Sequence, residues 1–127
     1  MLCVEDAIDA LSWVKRIGGL ASTIARCRNN FSAVSDFILH NAPAFNFLAS
    51  APATRSCTSV CIITDLTQSQ LKAFLDLLDQ EGVAHDIASY RDAPAGIRIW
   101  CGPTVELSDL QALLPWLRWA YDECSRV

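Results

Sequence analysis

Val83-Ala-His-Asp-Ile-Ala-Ser-Tyr-Arg-Asp-Ala-Pro-Ala-Gly-Ile-Arg-Ile-Trp-Cys101 reads as strand, loop and strand. In Ile97–Cys101 every second residue is apolar, which sets Ile97, Ile99 and Cys101 on one face. Arg98 and Trp100 occupy the other. Ser89–Gly96 holds Asp-Ala-Pro-Ala-Gly, a turn-forming run, and residues 83–88 read as the preceding strand. A strand with one apolar and one polar face belongs to a sheet covered by helices on one side.

The neighbouring segments fit that plan. Cys57–Thr64 is rich in β-branched residues and reads as a strand, with a shorter one at Phe45–Leu48. Thr67 and Gln70 form a capping box ahead of Leu71, Phe74, Leu75 and Leu78, and Gly82 is placed to end that helix. Upstream, Val4, Ala7, Ile8, Leu11 and Val14 follow helical spacing up to Gly18-Gly19. Leu20, Ile24, Cys27, Phe31, Val34 and Ile38 form a second helix that Pro43 closes. Ser108 with Gln111 starts a last helix carrying Leu110, Leu113, Leu114, Leu117 and Tyr121, and Pro115 predicts a kink or restart within it. The expected fold is an α+β two-layer sandwich, a small antiparallel or mixed sheet with helices packed on one face. Residues 1–127 read as one domain, with 1–42 as a helical lead-in and 43–127 as the sandwich.

Composition narrows the function. A chain of 127 residues with 52% hydrophobic and 19% charged residues supports a real core. Its net charge of −4 argues against a general nucleic-acid binder. No apolar run approaches the ~18 residues of a membrane helix, and no basic leader opens the chain, so a cytoplasmic protein is expected. Six cysteines without a secretion signal read as reduced, mostly buried thiols. Cys57 and Cys61, four residues apart in a strand, are about 13 Å apart, too far to share one zinc. No metal is expected.

The charge is uneven. Residues 61–127 hold ten acids against five bases, and between Lys72 and Arg118 only Arg91 and Arg98 are cationic. Guanidinium suits bidentate recognition of carboxylate or phosphate, so two arginines flanking a Pro/Gly loop could clamp a doubly anionic ligand. The plain alternative is that each pairs with a nearby acid, such as Asp92 or Glu106. His40 falls at a helix end and His85 in a strand, and both read as structural. No glycine-rich phosphate loop and no nucleophile elbow occurs. Trp13, Trp100, Trp116 and Trp119 fit a core or an interface.

Tyr90-Arg-Asp-Ala-Pro-Ala-Gly-Ile-Arg-Ile-Trp-Cys-Gly-Pro-Thr-Val-Glu106 strongly resembles the phosphoserine aminotransferases. Ala53-Thr-Arg-Ser-Cys-Thr-Ser-Val-Cys61 is similar to a second stretch of that family, with Cys57 where the family has Asn. Met1–Asp6, Ile17–Leu20 and Pro115-Trp-Leu-Arg-Trp119 match too. The likeness covers almost the whole chain, and implies the C-terminal small domain, roughly the last third of the enzyme.

The family so implied is a pyridoxal-phosphate transaminase of fold-type I, class V. It exchanges an amino group between glutamate and 3-phosphohydroxypyruvate in serine biosynthesis. By the resemblance, Arg98 matches the arginine for the substrate α-carboxylate, and Arg91 one that helps hold the phosphate. The same resemblance implies a large domain bearing pyridoxal phosphate, a homodimer, and an enzyme whose sequence runs on upstream of Met1. The two lysines, Lys15 and Lys72, lie beside the apolar stripes of helices, where neither suits a Schiff base. The chain alone is therefore expected to bind substrate anions and to turn nothing over. Two rivals stand beside this reading: a free-standing module that binds a small anion, and a transaminase for another substrate.

Overall fold

Gly18 and Gly19 take φ of 108° and 74°, a region open to glycine, and divide two helices there. The computed structural model describes residues 1–126. Its elements are α1 (Leu2–Arg16), α2 (Gly19–His40), β1 (Phe45–Phe47), β2 (Ser59–Thr64), α3 (Gln68–Gln80), β3 (Gly96–Trp100) and α4 (Leu107–Ser125). The sheet has the order β1-β2-β3 and is antiparallel throughout. The expected α+β sandwich is what forms.

Register decides which face is buried. Val60 pairs with Ile99 and Ile62 with Ile97, and these four side chains enter the core with Phe45. Val34 and Ile38 of α2, Phe74 and Leu78 of α3, and Leu117 and Ala120 of α4 close over them. Each fully buried large side chain stabilises the fold by roughly 1.5–3 kcal/mol. On the opposite face lie the pairs Ser59–Trp100 and Cys61–Arg98, which leaves that side of the sheet for other work.

Helix α1 is different. None of its residues is buried, and Val4, Ile8 and Leu11 are 49%, 52% and 68% exposed. A 15-residue helix is marginal by itself in water, so this apolar stripe calls for a cover.

Several expectations need correcting. Residues 83–88 do not form a strand; only Ala88 makes an isolated bridge, to Ile97. The backbone there is committed elsewhere. Gly82 at φ 68° lets Val83 donate to the Leu78 carbonyl, finishing α3, and Asp86 at φ 53° leaves the extended region. His85 consequently sits in a loop, bonded to Asp79 rather than held in a strand. β2 starts at Ser59, because the Ser56 hydroxyl accepts from the amides of Thr58 and Ser59 and turns the chain.

In α4 the first residue is Leu107, and neither Ser108 nor Glu106 caps it through a side chain. The Glu106 carboxylate is taken instead by Arg26. The helix also runs through Pro115 without a restart. Pro115 and Gln111 are both exposed, so water can reach the carbonyl that loses its amide partner. The thiols are all free, but only Cys27, Cys101 and Cys124 are buried; Cys3 and Cys57 are exposed and Cys61 half-buried.

Candidate functional site

β3 delivers Arg98 to the outer face of the sheet, directly across from Cys61. Its amide donates to the Ile87 carbonyl at 2.8 Å, which fixes its backbone against the 84–95 loop. The side chain is 27% exposed. Its Cζ lies 4.9 Å from the Tyr90 ring centroid, and Nη2 is 3.9 Å from an Asp86 carboxylate oxygen. Nε is buried and has no hydrogen-bond partner. Asp86 is 94% exposed at its side chain, so water screens that long contact and it contributes little.

Arg91 follows Tyr90 in a turn closed by the Ala93 amide donating to the Tyr90 carbonyl, 3.0 Å. It is exposed and makes no ion pair among the described residues. The acids considered as partners, Asp92 and Glu106, pair with neither arginine; Glu106 belongs to Arg26. One guanidinium is thus half-enclosed on a strand, and the other extends from the loop that the strand anchors.

Besides the bond at Ile87, that loop is held at its C-terminal end. Thr64 donates to the Ala95 carbonyl at 3.1 Å, and Gly96 passes so close to β2 that an added Cβ would stand 2.1 Å from the Ile62 carbonyl oxygen. Beyond β3, Asn30 of α2, only 1% exposed, donates to the carbonyls of Cys101, Gly102 and Val105. Arg26, one helical turn earlier, donates to the Pro103 carbonyl at 2.6 Å. Sequence reading missed Asn30, Tyr90 and Asp86 as neighbours of the site. Tyr90 adjoins Arg91 in the quoted stretch, whereas Asn30 lies about 70 residues from its partners and carries no local signal.

Burial works against the cysteines as nucleophiles. Desolvation, reinforced by the nearby Cys27 and Cys57 sulfurs, pushes the Cys101 thiol up to about 12. Cys27 and Cys124 are raised as well, mainly by burial. An apolar cleft of 480 Å³ lies between Glu81, Pro115, Trp116 and Trp119, but neither arginine lines it and it offers no cation for an anion. The open arginine face carries more chemistry than this cleft.

The two lysines do not fit a Schiff base. Both are exposed on helices, and Lys72 is bonded to Asp76. A cofactor aldehyde requires an enclosed amine, which neither lysine presents in this structure. Among the described residues no helix is long and apolar enough to cross a membrane.

This architecture, a three-stranded antiparallel sheet with helices on one face, is shared with phosphoserine aminotransferases of known structure. Phosphoserine aminotransferase from Bacillus circulans subsp. alkalophilus superposes with a TM-score of 0.78 at 19% identity, over 88% of this chain and 30% of that one. The enzyme from Trichomonas vaginalis, solved with bound PLP, gives 0.73 at 19% identity, over 84% of this chain and 30% of that one. At such identities the likeness is one of fold. Sequence takes it further. Phosphoserine aminotransferase of Methanosarcina mazei is 45% identical over 96% of this chain, and that of Methanosarcina barkeri 46% over the same share. The chain is therefore recognised as similar to phosphoserine aminotransferase, and it spans 33% of the length of these relatives. No family model matches it.

Proposed function

We propose that this chain is the substrate-anion-binding domain of a phosphoserine aminotransferase, extending over residues 1–127 and acting in the cytoplasm. Arg98 receives the substrate α-carboxylate, and Arg91 reaches the phosphate. The observation that carries this reading is the guanidinium of Arg98. It is half-enclosed on the outer face of the sheet, and the nearest carboxylate is 3.9 Å away and highly exposed. A charge brought this far out of water and left without a close partner is suited to an incoming anion.

A phosphorylated amino acid or keto acid has two anionic groups, one for each arginine. Pyridoxal phosphate, when bound, supplies the electron sink for amino transfer; the partner that holds it is a large domain, in a homodimer. The stripe of Val4, Ile8 and Leu11 on α1 provides an apolar surface for such a partner to cover. This chain's own contribution is to bind and orient the substrate.

The test has two arms. Titration of the purified chain with O-phospho-L-serine, followed by NMR, is expected to move signals of Arg91, Arg98 and their neighbours saturably, and Arg98→Ala is expected to abolish this. Shifts that survive Arg98→Ala would remove Arg98 from the role. In the second arm, pyridoxal phosphate and borohydride are expected to leave no specific adduct on Lys15 or Lys72. An adduct accompanied by transamination would overturn the inactivity of the chain alone. Binding by the chain with no gain from any large domain would favour a free-standing anion-binding module.

A further inference from the structure

We infer that Tyr90 is a positioning residue for Arg98, and that it turns the terminal Nη edge of the guanidinium toward the anion. The inference deepens the reading of Arg98 as the carboxylate-binding arginine and rests on it for the identity of that anion. Arginine ends a long, flexible stem, and a guanidinium that must be found and immobilised by its ligand binds weakly. Here the immobilisation precedes the ligand.

Backbone contacts set the ring in place. Arg98 donates to the Ile87 carbonyl at 2.8 Å, and Ala88 bridges to Ile97, so the segment leading to Tyr90 is tied to β3 beside Arg98. The turn closed by the Ala93 amide then begins at Tyr90. The ring comes to lie 4.9 Å from Arg98 Cζ, within the range of a cation–π contact. With one side of the guanidinium against the ring, and Nε buried without a partner, the Nη groups are the edge left for a ligand.

A carboxylate already lies toward that edge: Asp86 Oδ2 is 3.9 Å from Nη2, beyond hydrogen-bond range. Its exposed side chain can yield to a substrate carboxylate that approaches end-on. Tyr90 is itself 59% exposed, so exchanging it opens no cavity in the core.

The experiment observes Arg98 directly, with or without ligand. In the ¹⁵N-labelled chain the Arg98 Nε–H signal is expected to be ring-current-shifted and protected from solvent exchange, unlike that of Arg91. Tyr90→Phe should preserve both properties and Tyr90→Leu should abolish them, with the same thermal midpoint in all three proteins. In the titration with O-phospho-L-serine, Tyr90→Leu should weaken binding about threefold and Tyr90→Phe should not. An Arg98 Nε–H that matches Arg91 in the unsubstituted chain, or that is indifferent to Tyr90→Leu, would overturn the inference. A chain that shows the expected Nε–H behaviour yet binds no phosphoserine would instead sink the substrate reading and leave the Tyr90 assignment standing.

Discussion

Asn30 Nδ2 donates to the Val105 carbonyl at 2.9 Å and joins α2 to the turn that follows β3. The same amide group lies 3.4 and 3.3 Å from the carbonyl oxygens of Cys101 and Gly102. One buried side chain thus satisfies a turn that strand pairing cannot reach. Asn30→Ala should lower stability by about 2–3 kcal/mol, because the Cys101 and Val105 carbonyls lose this donor, while Gly102 keeps only the Val105 amide. Arg26→Ala, at a partly exposed site, should cost about 1 kcal/mol. The two bind one turn from adjacent helical turns, so the double variant should depart from additivity. Urea unfolding of the three variants measures this, and a loss below about 0.5 kcal/mol for Asn30→Ala would remove the residue from that role.

Two glycines around β3 should respond differently to alanine. At Gly96 the new Cβ would meet the Ile62 carbonyl of the neighbouring strand at 2.1 Å, and backbone has nowhere to go. At Gly102 it would meet the Trp100 indole at 2.4 Å, a side chain on the outer face that is 52% exposed and can swing away. Gly96→Ala should therefore cost about 3 kcal/mol or more, and Gly102→Ala about 1–2 kcal/mol. Trp100→Ala should restore most of the Gly102→Ala loss and none of the Gly96→Ala loss. Equal rescue at both positions would contradict this geometry.

The parts of the fold written in local pattern were legible. Thr67 and Gln70 form the capping box that their spacing predicts, and Leu71, Phe74 and Leu78 bury as one stripe. Ile97, Ile99 and Cys101 bury together while Arg98 and Trp100 face outward. What failed depended on bonds between distant segments. Alternation alone puts His85 in a strand, because the amides that finish α3, and the left-handed Asp86, leave no trace in it. The spacing of Ser108 and Gln111 reads as a helix start, and nothing local shows that Glu106 pairs with Arg26, 80 residues away. For the site, residue type singled out Arg91 and Arg98, but the surroundings of Arg98 arise from tertiary contacts that only the structure supplies.

The buried thiols predict an alkaline weakness. Desolvation favours the neutral form of Cys101, so the folded chain keeps that proton to about pH 12 against an ordinary value of 9.0. A thiol held protonated by folding contributes stability that is fully present below pH 9 and is lost as pH rises toward 12. Tyr121 acts in the same direction, since its hydroxyl donates to Asp65 and burial adds to the upward shift. The urea midpoint should fall across this window, and fall less steeply in Cys101→Ala. Thiol reagents at neutral pH should find Cys3 and Cys57 quickly and reach Cys27, Cys101 and Cys124 only on unfolding. Fast labelling of Cys101 in the folded chain would contradict the burial that underlies both expectations.

The division of labour proposed for the two arginines gives the last prediction. Arg91 is exposed and without an ion pair among the described residues, so Arg91→Ala should leave stability within about 0.5 kcal/mol of the parent chain. Under the proposed assignment its charge matters only to a ligand with a second anionic group. Calorimetric titration should show Arg91→Ala weakening O-phospho-L-serine about fivefold and leaving L-serine unaffected, the ratio expected for one exposed charge-assisted contact. Arg98→Ala should weaken both ligands, because both present the carboxylate. Arg98→Lys should recover only part of the loss, since an ammonium keeps the charge but not the planar fork. Equal losses for both ligands in Arg91→Ala would take the phosphate away from Arg91 and point to a substrate with a single anionic group.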